Sequence, residues 1–150
     1  MQTAVKNAEK NQLKDKLKKS GLKLTRQRKL VYDILKEKPD HPTADTIFIR
    51  ARKKQPDISF ATVYNCLEAL VRCGLIKQVK VDKTATRYCL NLTKHAHFVC
   101  EICGRVFDIN MDVLEKLGCN NFLKTKLPDG FEIKELEVSI RGECNKCKIG

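Results

Sequence analysis

The sequence is poor in several features that would widen its possible roles. It contains no run of about 18 apolar residues, the minimum for a membrane-spanning helix, so no transmembrane segment is expected. The residues after Met1 are rich in Lys, Asn and Gln and hold no apolar stretch of signal-peptide length. The expectation is a cytoplasmic protein in a reducing compartment. No internal repeat or low-complexity tract is present. At 150 residues the chain amounts to one ordinary domain or two small ones, too short for a barrel of alternating strands and helices. A phosphate-binding loop, a Ser/His/Asp set and a paired acid and base at catalytic spacing are all missing, so an enzyme is not expected. Histidine is scarce too, with only three in the chain.

Positive charge is abundant. Lys and Arg number 30 against 18 Asp and Glu, a formal +12, which calls for a polyanionic partner, either nucleic acid or an anionic membrane surface. Residues 1–91 hold 21 bases and 9 acids, whereas residues 92–150 hold 9 of each, so the excess is wholly N-terminal. Cysteine divides at the same place: Cys66, Cys73 and Cys89 lie in the basic part, and Cys100, Cys103, Cys119, Cys144 and Cys147 in the neutral one. Two domains are therefore expected, 1–91 and 92–150. In a reducing compartment, paired cysteines read as metal ligands before they read as disulfides.

Hydrophobic periodicity supports this division. Leu13 and Leu17 sit in a Lys-rich helical segment that Gly21 can end, a basic helix that could equally be a solvated face. Thr25, Thr43 and Ser59 are suitable N-caps for three further helices. The first carries Val31, Ile34 and Leu35 and the second Ala44, Ile47, Phe48 and Ala51. On the third, Val63, Leu67 and Leu70 face one way and Ala61, Asn65, Glu68 and Arg72 the other, with Thr62 and Tyr64 on the flanks. The short Pro56-Asp57-Ile58 link fits a helix-turn-helix. The alternating runs LIKQVKV and RYCLNL, around a polar DKTAT turn, then read as a hairpin. Together these elements predict a winged helix. Past Leu92, HFVCEI and RVFDI read as strands, Asp112 to about Lys124 as a helix, and EIKELEVSIRG as a final strand. The expected class is α+β, with a second unit small enough to need a metal or a partner subunit.

Cys100-x-x-Cys103 and Cys144-x-x-Cys147, 40 residues apart, are the strongest chemical signal. Two such turns present four thiolates to one tetrahedral ion, a structural zinc site with no open position for water. Gly104 and Gly142 lie beside the turns, where close backbone approach is useful. The second cluster comprises His95-x-His97, which share a strand face, with Cys89 and Asp108 nearby in sequence and His41 in a Pro-flanked loop. A zinc deaminase would need a Glu in an H-x-E arrangement, where this chain has His97 after Ala96. Cys66 and Cys73 fit small apolar fillers of a helix; Cys119 has no assigned role.

HPTADTIF, SFATVYNCLEALVRCGLIK, HAHFVCEICG and CNKC occur in an order and spacing that resembles the ferric uptake regulator family of bacterial metal-dependent repressors. The resemblance covers roughly residues 10–148. It implies a homodimer with N-terminal winged helices, a C-terminal α+β dimerisation domain, and an inter-domain metal that holds the reading domains in an operator-competent posture. It also implies structural zinc on Cys100, Cys103, Cys144 and Cys147, and a regulatory metal on His41, Cys89, His95, His97 and Asp108. At the position of Cys89 peroxide-sensing members usually carry Asp and iron sensors Glu, whereas zinc-uptake regulators resemble this chain in having Cys. A thiolate shifts preference toward Zn2+ over Mn2+ or Fe2+. Asn65, after the TVY of the reading helix, resembles peroxide-type members instead. Lys94 and Ala96 break the His-rich run that supplies an extra site in many iron sensors. The resulting expectation is a peroxide-stress repressor using Fe2+ or Mn2+, with a zinc-uptake regulator as the alternative.

Operator recognition is assigned to Thr62, Tyr64 and Asn65 in the major groove, and to Arg26, Arg28 and Arg87 at phosphates or a minor-groove edge of palindromic double-stranded DNA. A remote alternative is a basic zinc-ribbon RNA-binding protein. That would need a basic ribbon, yet here the cysteine-rich half is neutral.

Overall fold

The structure is a computed structural model that describes residues 2–81, 85–116, 118, 127–134 and 136–148. It is a mixed helix and sheet chain of the α+β class that divides into two compact units, Met1–Leu92 and Thr93–Gly150.

The first unit runs α1 (Gln2–Lys19), α2 (Arg26–Glu37), α3 (Ala44–Lys54), α4 (Phe60–Arg72), β1 (Lys77–Val79) and β2 (Arg87–Cys89). Thr25, Thr43 and Ser59 cap α2, α3 and α4: each hydroxyl accepts from the backbone N–H three residues on, satisfying one orphan donor of the first turn. The apolar stripes of these helices meet in one core, with Val31, Ile47, Val63, Leu67 and Leu70 fully buried. Leu13 and Leu17 join that core at 3% and 0% exposure. The Lys-rich helix is therefore docked and is not merely a solvated face. Each fully buried Leu contributes about 2 kcal/mol of apolar burial.

β1 and β2 pair antiparallel, with Val79 opposite Arg87. Both are shorter than the alternating runs suggested. Gly74, at φ 64°, ends α4, and the N–H of Leu75 donates to the Leu70 carbonyl at 3.0 Å. This glycine stop directs Leu75 and Ile76 into the core and keeps them out of the ladder. After Cys89, the N–H of Asn91 donates to the Cys89 Sγ at 3.3 Å and turns the chain away. The hairpin tip at 82–84 lies outside the described residues.

The second unit contains β3 (His95–Cys100), β4 (Val106–Asn110), α5 (Met111–Lys116) and β5 (Ser139–Gly142), with sheet order β4-β3-β5. β3 is antiparallel to β4 and parallel to β5. β3 starts earlier than the HFVCEI run and stops at Cys100, because residues 101–103 turn into the first cysteine knuckle. The long final strand narrows to Ser139–Gly142: β3 pairs with it only from His97 to Cys100, and the described residues upstream are irregular and, up to Glu137, exposed. The helix expected to reach Lys124 is seen as α5 to Lys116; of its remainder only Gly118 is described. Among the described residues no helix is long and apolar enough to cross a membrane.

Candidate metal centres

The four paired cysteines come together within the second unit. β3 ends on Cys100, Cys103 follows in the turn after it, and Cys144 and Cys147 lie in the turn after β5. The parallel β3/β5 pairing brings the two knuckles side by side. All four Sγ atoms lie within 4.8 Å of one another, with Cys103 and Cys144 at 3.9 Å. A tetrahedral ion with bonds of about 2.3 Å needs sulfur separations of about 3.8 Å. Gly104 takes φ 67° to close its turn, and a Cβ at Gly142 would meet the Phe98 ring at 3.3 Å.

The electrostatics of the cluster also favour a cation. Arg105 Nε donates to the Cys103 Sγ at 3.3 Å, and this guanidinium, with help from the backbone, holds the Cys103 thiol down to about 6. Backbone N–H groups of Cys103 and Cys144 lower Cys100. Cys147, facing the sulfurs of Cys103 and Cys144, is pushed up to about 12. Four sulfurs in so small a space cannot all ionise without a positive ion between them. Arg105 had no role in the sequence reading, although a base directly after C-x-x-C-G was the available signal.

The second cluster has two parts, one in each unit. In the second unit His95 and His97 lie two apart on β3, and His97 is opposite Asp108 on β4. His95 Nε2 lies 2.9 Å from His97 Nε2 and 3.2 Å from Asp108 Oδ1, and His97 Nε2 lies 3.6 Å from the same oxygen. His95 Nδ1 is 2.8 Å from the Thr93 carbonyl. A carbonyl only accepts, so Nδ1 carries a proton, and Nε2 is the ring atom directed at the carboxylate. Acceptors converging in this way require positive charge between them, a metal ion or a proton.

In the first unit, His41 is buried just before α3, and Cys89 is buried at the end of β2. Their ligand atoms lie within 4.8 Å of each other. His41 has φ 52°, the left-handed region, which costs a non-glycine residue on the order of 1 kcal/mol.

The residues assigned to DNA separate into two groups. Tyr64, Asn65 and Arg26 are exposed, and Tyr64 and Asn65 share the solvent side of α4. The other three are engaged within the protein. The Thr62 hydroxyl lies 2.8 Å from the Ser59 hydroxyl at the cap, Arg28 Nη1 donates to the Lys23 carbonyl at 2.6 Å, and Arg87 Nη1 donates to the His41 carbonyl at 3.2 Å. Cys66 is buried in the core, where burial pushes its thiol up despite the opposing charge of Arg28. Cys73 packs against the same core, and Cys119 lies outside the described residues.

The model of the ferric uptake regulator family matches residues 19–141, most of the chain. This protein is a member of that family. Among its relatives, the peroxide-responsive repressor PerR of Staphylococcus epidermidis is 32% identical over 132 residues, covering 88% of this chain and 85% of the relative. The peroxide operon regulator of Bacillus subtilis is 31% identical, covering 87% and 88%. Among solved structures, the Campylobacter jejuni peroxide stress regulator has a TM-score of 0.66 at 33% identity, covering 81% of this chain and 88% of that one. The Helicobacter pylori ferric uptake regulator, at 22% identity, shares the fold with a TM-score of 0.78 over 96% and 94%. The chain is thus a metal-dependent transcriptional regulator of the ferric uptake regulator family and not an enzyme.

Proposed function

We propose that this Fur-family regulator is a cytoplasmic, homodimeric peroxide-stress repressor. Residues 1–91 would form a winged-helix domain that reads palindromic operator DNA, and residues 92–150 a domain for dimerisation and metal binding. The observations that carry the reading are the convergence of His95, His97 and Asp108 in one unit and the buried His41–Cys89 pair in the other. Both half-sites would hold one regulatory ion, Fe2+ or Mn2+. Such an ion favours the arrangement of units in which all five ligands reach it, and it shifts the population toward that arrangement only by its differential affinity.

Cys100, Cys103, Cys144 and Cys147 would hold Zn2+ as a closed scaffold. Charge from the N-terminal unit would drive counterion release at the phosphates. Tyr64 and Asn65, with Thr62 at the cap, would read base edges, and Arg26 and Arg28 would lie at the backbone. When bound at the regulatory site, ferrous iron would supply the electron that reduces peroxide, and the oxidant so formed would oxidise a ligand histidine. Loss of His41, His95 or His97 as a ligand would leave the two units untied and release the operator.

Named peroxide regulators at 30% identity and above support this branch. Cys89 favours the second reading, a zinc-uptake regulator, because a thiolate prefers Zn2+. The test is operator binding with Mn2+, Fe2+ and Zn2+ before and after peroxide. Loss of binding in the Fe2+ form alone supports the peroxide reading. Tightest activation by Zn2+ with no peroxide response overturns it in favour of zinc uptake. His95→Ala is expected to keep the fold and the structural zinc while abolishing metal-dependent binding; an unchanged metal titration in a gel shift removes His95 from the site.

A further inference from the structure

We propose that Arg87 is a positioning residue of the regulatory metal site, holding His41 in the backbone conformation that sets its ring beside Cys89, and is not a phosphate contact. The inference rests on the regulatory-site reading above and extends it to a residue outside the ligand set. His41 is the non-glycine residue with positive φ among those described, and the segment around it is tied down residue by residue. From α3, Arg50 reaches back to Asp40 as a two-toothed fork, Nη1 to Oδ1 at 2.9 Å and Nη2 to Oδ2 at 2.6 Å. From β2, the N–H of Tyr88 donates to the Pro42 carbonyl at 3.0 Å, and Thr43 forms an isolated antiparallel bridge with Arg87. Between these ties Arg87 Nη1 donates to the carbonyl of His41 itself at 3.2 Å.

The strand geometry explains why this residue is suited to the task. Arg87 and Cys89 are two apart on β2, so their side chains leave the same face, while Tyr88 between them points into the core at 2% exposure. One strand thus carries both the candidate thiol ligand and the guanidinium that fixes the backbone of the candidate imidazole ligand. A left-handed histidine persists only where its surroundings over-determine it, and a charged donor on its carbonyl is the strong kind of hydrogen bond for that purpose. Outer partners of this type set ligand orientation and, when removed, typically weaken metal affinity by about 10- to 100-fold.

The test compares Arg87→Met and Arg87→Lys with His41→Ala in the zinc-loaded full-length protein. Two quantities are read: the Mn2+ dissociation constant by chelator competition without DNA, and operator affinity at saturating Mn2+ across a salt series. Arg87→Met is expected to weaken Mn2+ binding about tenfold while leaving operator affinity at saturating metal and its salt slope unchanged. Arg87→Lys, which keeps a cationic donor, is expected to recover part of the Mn2+ affinity. The proposal is overturned if Arg87→Met binds Mn2+ normally, or if it instead lowers operator affinity at saturating metal and the salt slope by about one per protomer, the signature of a lost phosphate contact. Should Arg87→Met not fold, Arg87→Gln gives the same comparison. If His41→Ala also binds Mn2+ normally, the regulatory-site reading itself fails; loss in His41→Ala with no change in the Arg87 variants sinks only the role of Arg87.

Discussion

The two units of this regulator are held by different forces. The first closes around an uninterrupted cluster running from Leu13 to Tyr88, with aliphatic side chains from all four helices. In the second, the described buried apolar residues are Ala96, Val99, Cys100, Val106 and Cys144, and two of those five are cysteines of the sulfur cluster. Where the first unit has leucine, the second has the cysteines of a candidate metal site. The first should therefore fold by apolar burial alone, and the second should be stable only when its cysteines are filled.

Stripping the proposed zinc, or replacing Cys100 by Ser, should produce the largest effect. Binding at such sites supplies about 10–16 kcal/mol, and this becomes folding free energy. Hydrogen exchange should show protection lost across β3 and β5 and retained in α2–α4. Retained protection in β3 after chelation would break the comparison. Leu67→Ala addresses the other half: a fully buried leucine lost from a packed core costs about 2–5 kcal/mol. The thermal midpoint of the first unit should fall while zinc content stays the same. Zinc loss alongside the melting would mean that the units do not stand apart.

Arg105→Ala sharpens the account of the second unit. Without the guanidinium beside Cys103, zinc affinity measured by chelator competition is expected to fall about tenfold. An unchanged affinity would mean that the cation is incidental.

The smallest effect belongs to Asp40 and Arg50. Burial raises the Asp40 carboxyl, but the hydrogen bonds and charges of Arg50, aided by Lys38, outweigh it and hold the group below its ordinary value. A depressed folded pKa stabilises above the unfolded value of about 3.9 and is lost as pH falls through the folded one. The Asp40 side chain is about one third exposed, so the pair's worth is about 0.2–1 kcal/mol after screening. Asp40→Asn should thus lower the melting temperature slightly at neutral pH, with the deficit fading below about pH 4. A deficit that persisted in acid would assign the residue's effect to packing.

Much of the arrangement was legible along the chain. The caps Thr25, Thr43 and Ser59, the buried stripes and the cysteine spacing depend on contacts three or four residues apart, or on motifs a few residues long. The shortened strands were not legible, because alternation marks strand-like chain without naming its partner. LIKQVKV loses two residues to a helix stop, and EIKELEVSIRG is limited to the positions that β3 can pair. Nor does a pattern of side chains reveal that an arginine turns inward.

The sequence by itself determined the division of charge at Leu92, the two C-x-x-C knuckles and the i, i+2 spacing of His95 and His97. Only the tertiary structure decided that Leu13 and Leu17 dock the basic helix, that His41 adopts a left-handed backbone, that Arg105 serves Cys103, and that Arg87 serves the His41 carbonyl. The physical reason is the same in each case. Local periodicity specifies which face of an element is apolar, but where a charged donor finds its acceptor depends on chain segments brought together from far apart in sequence.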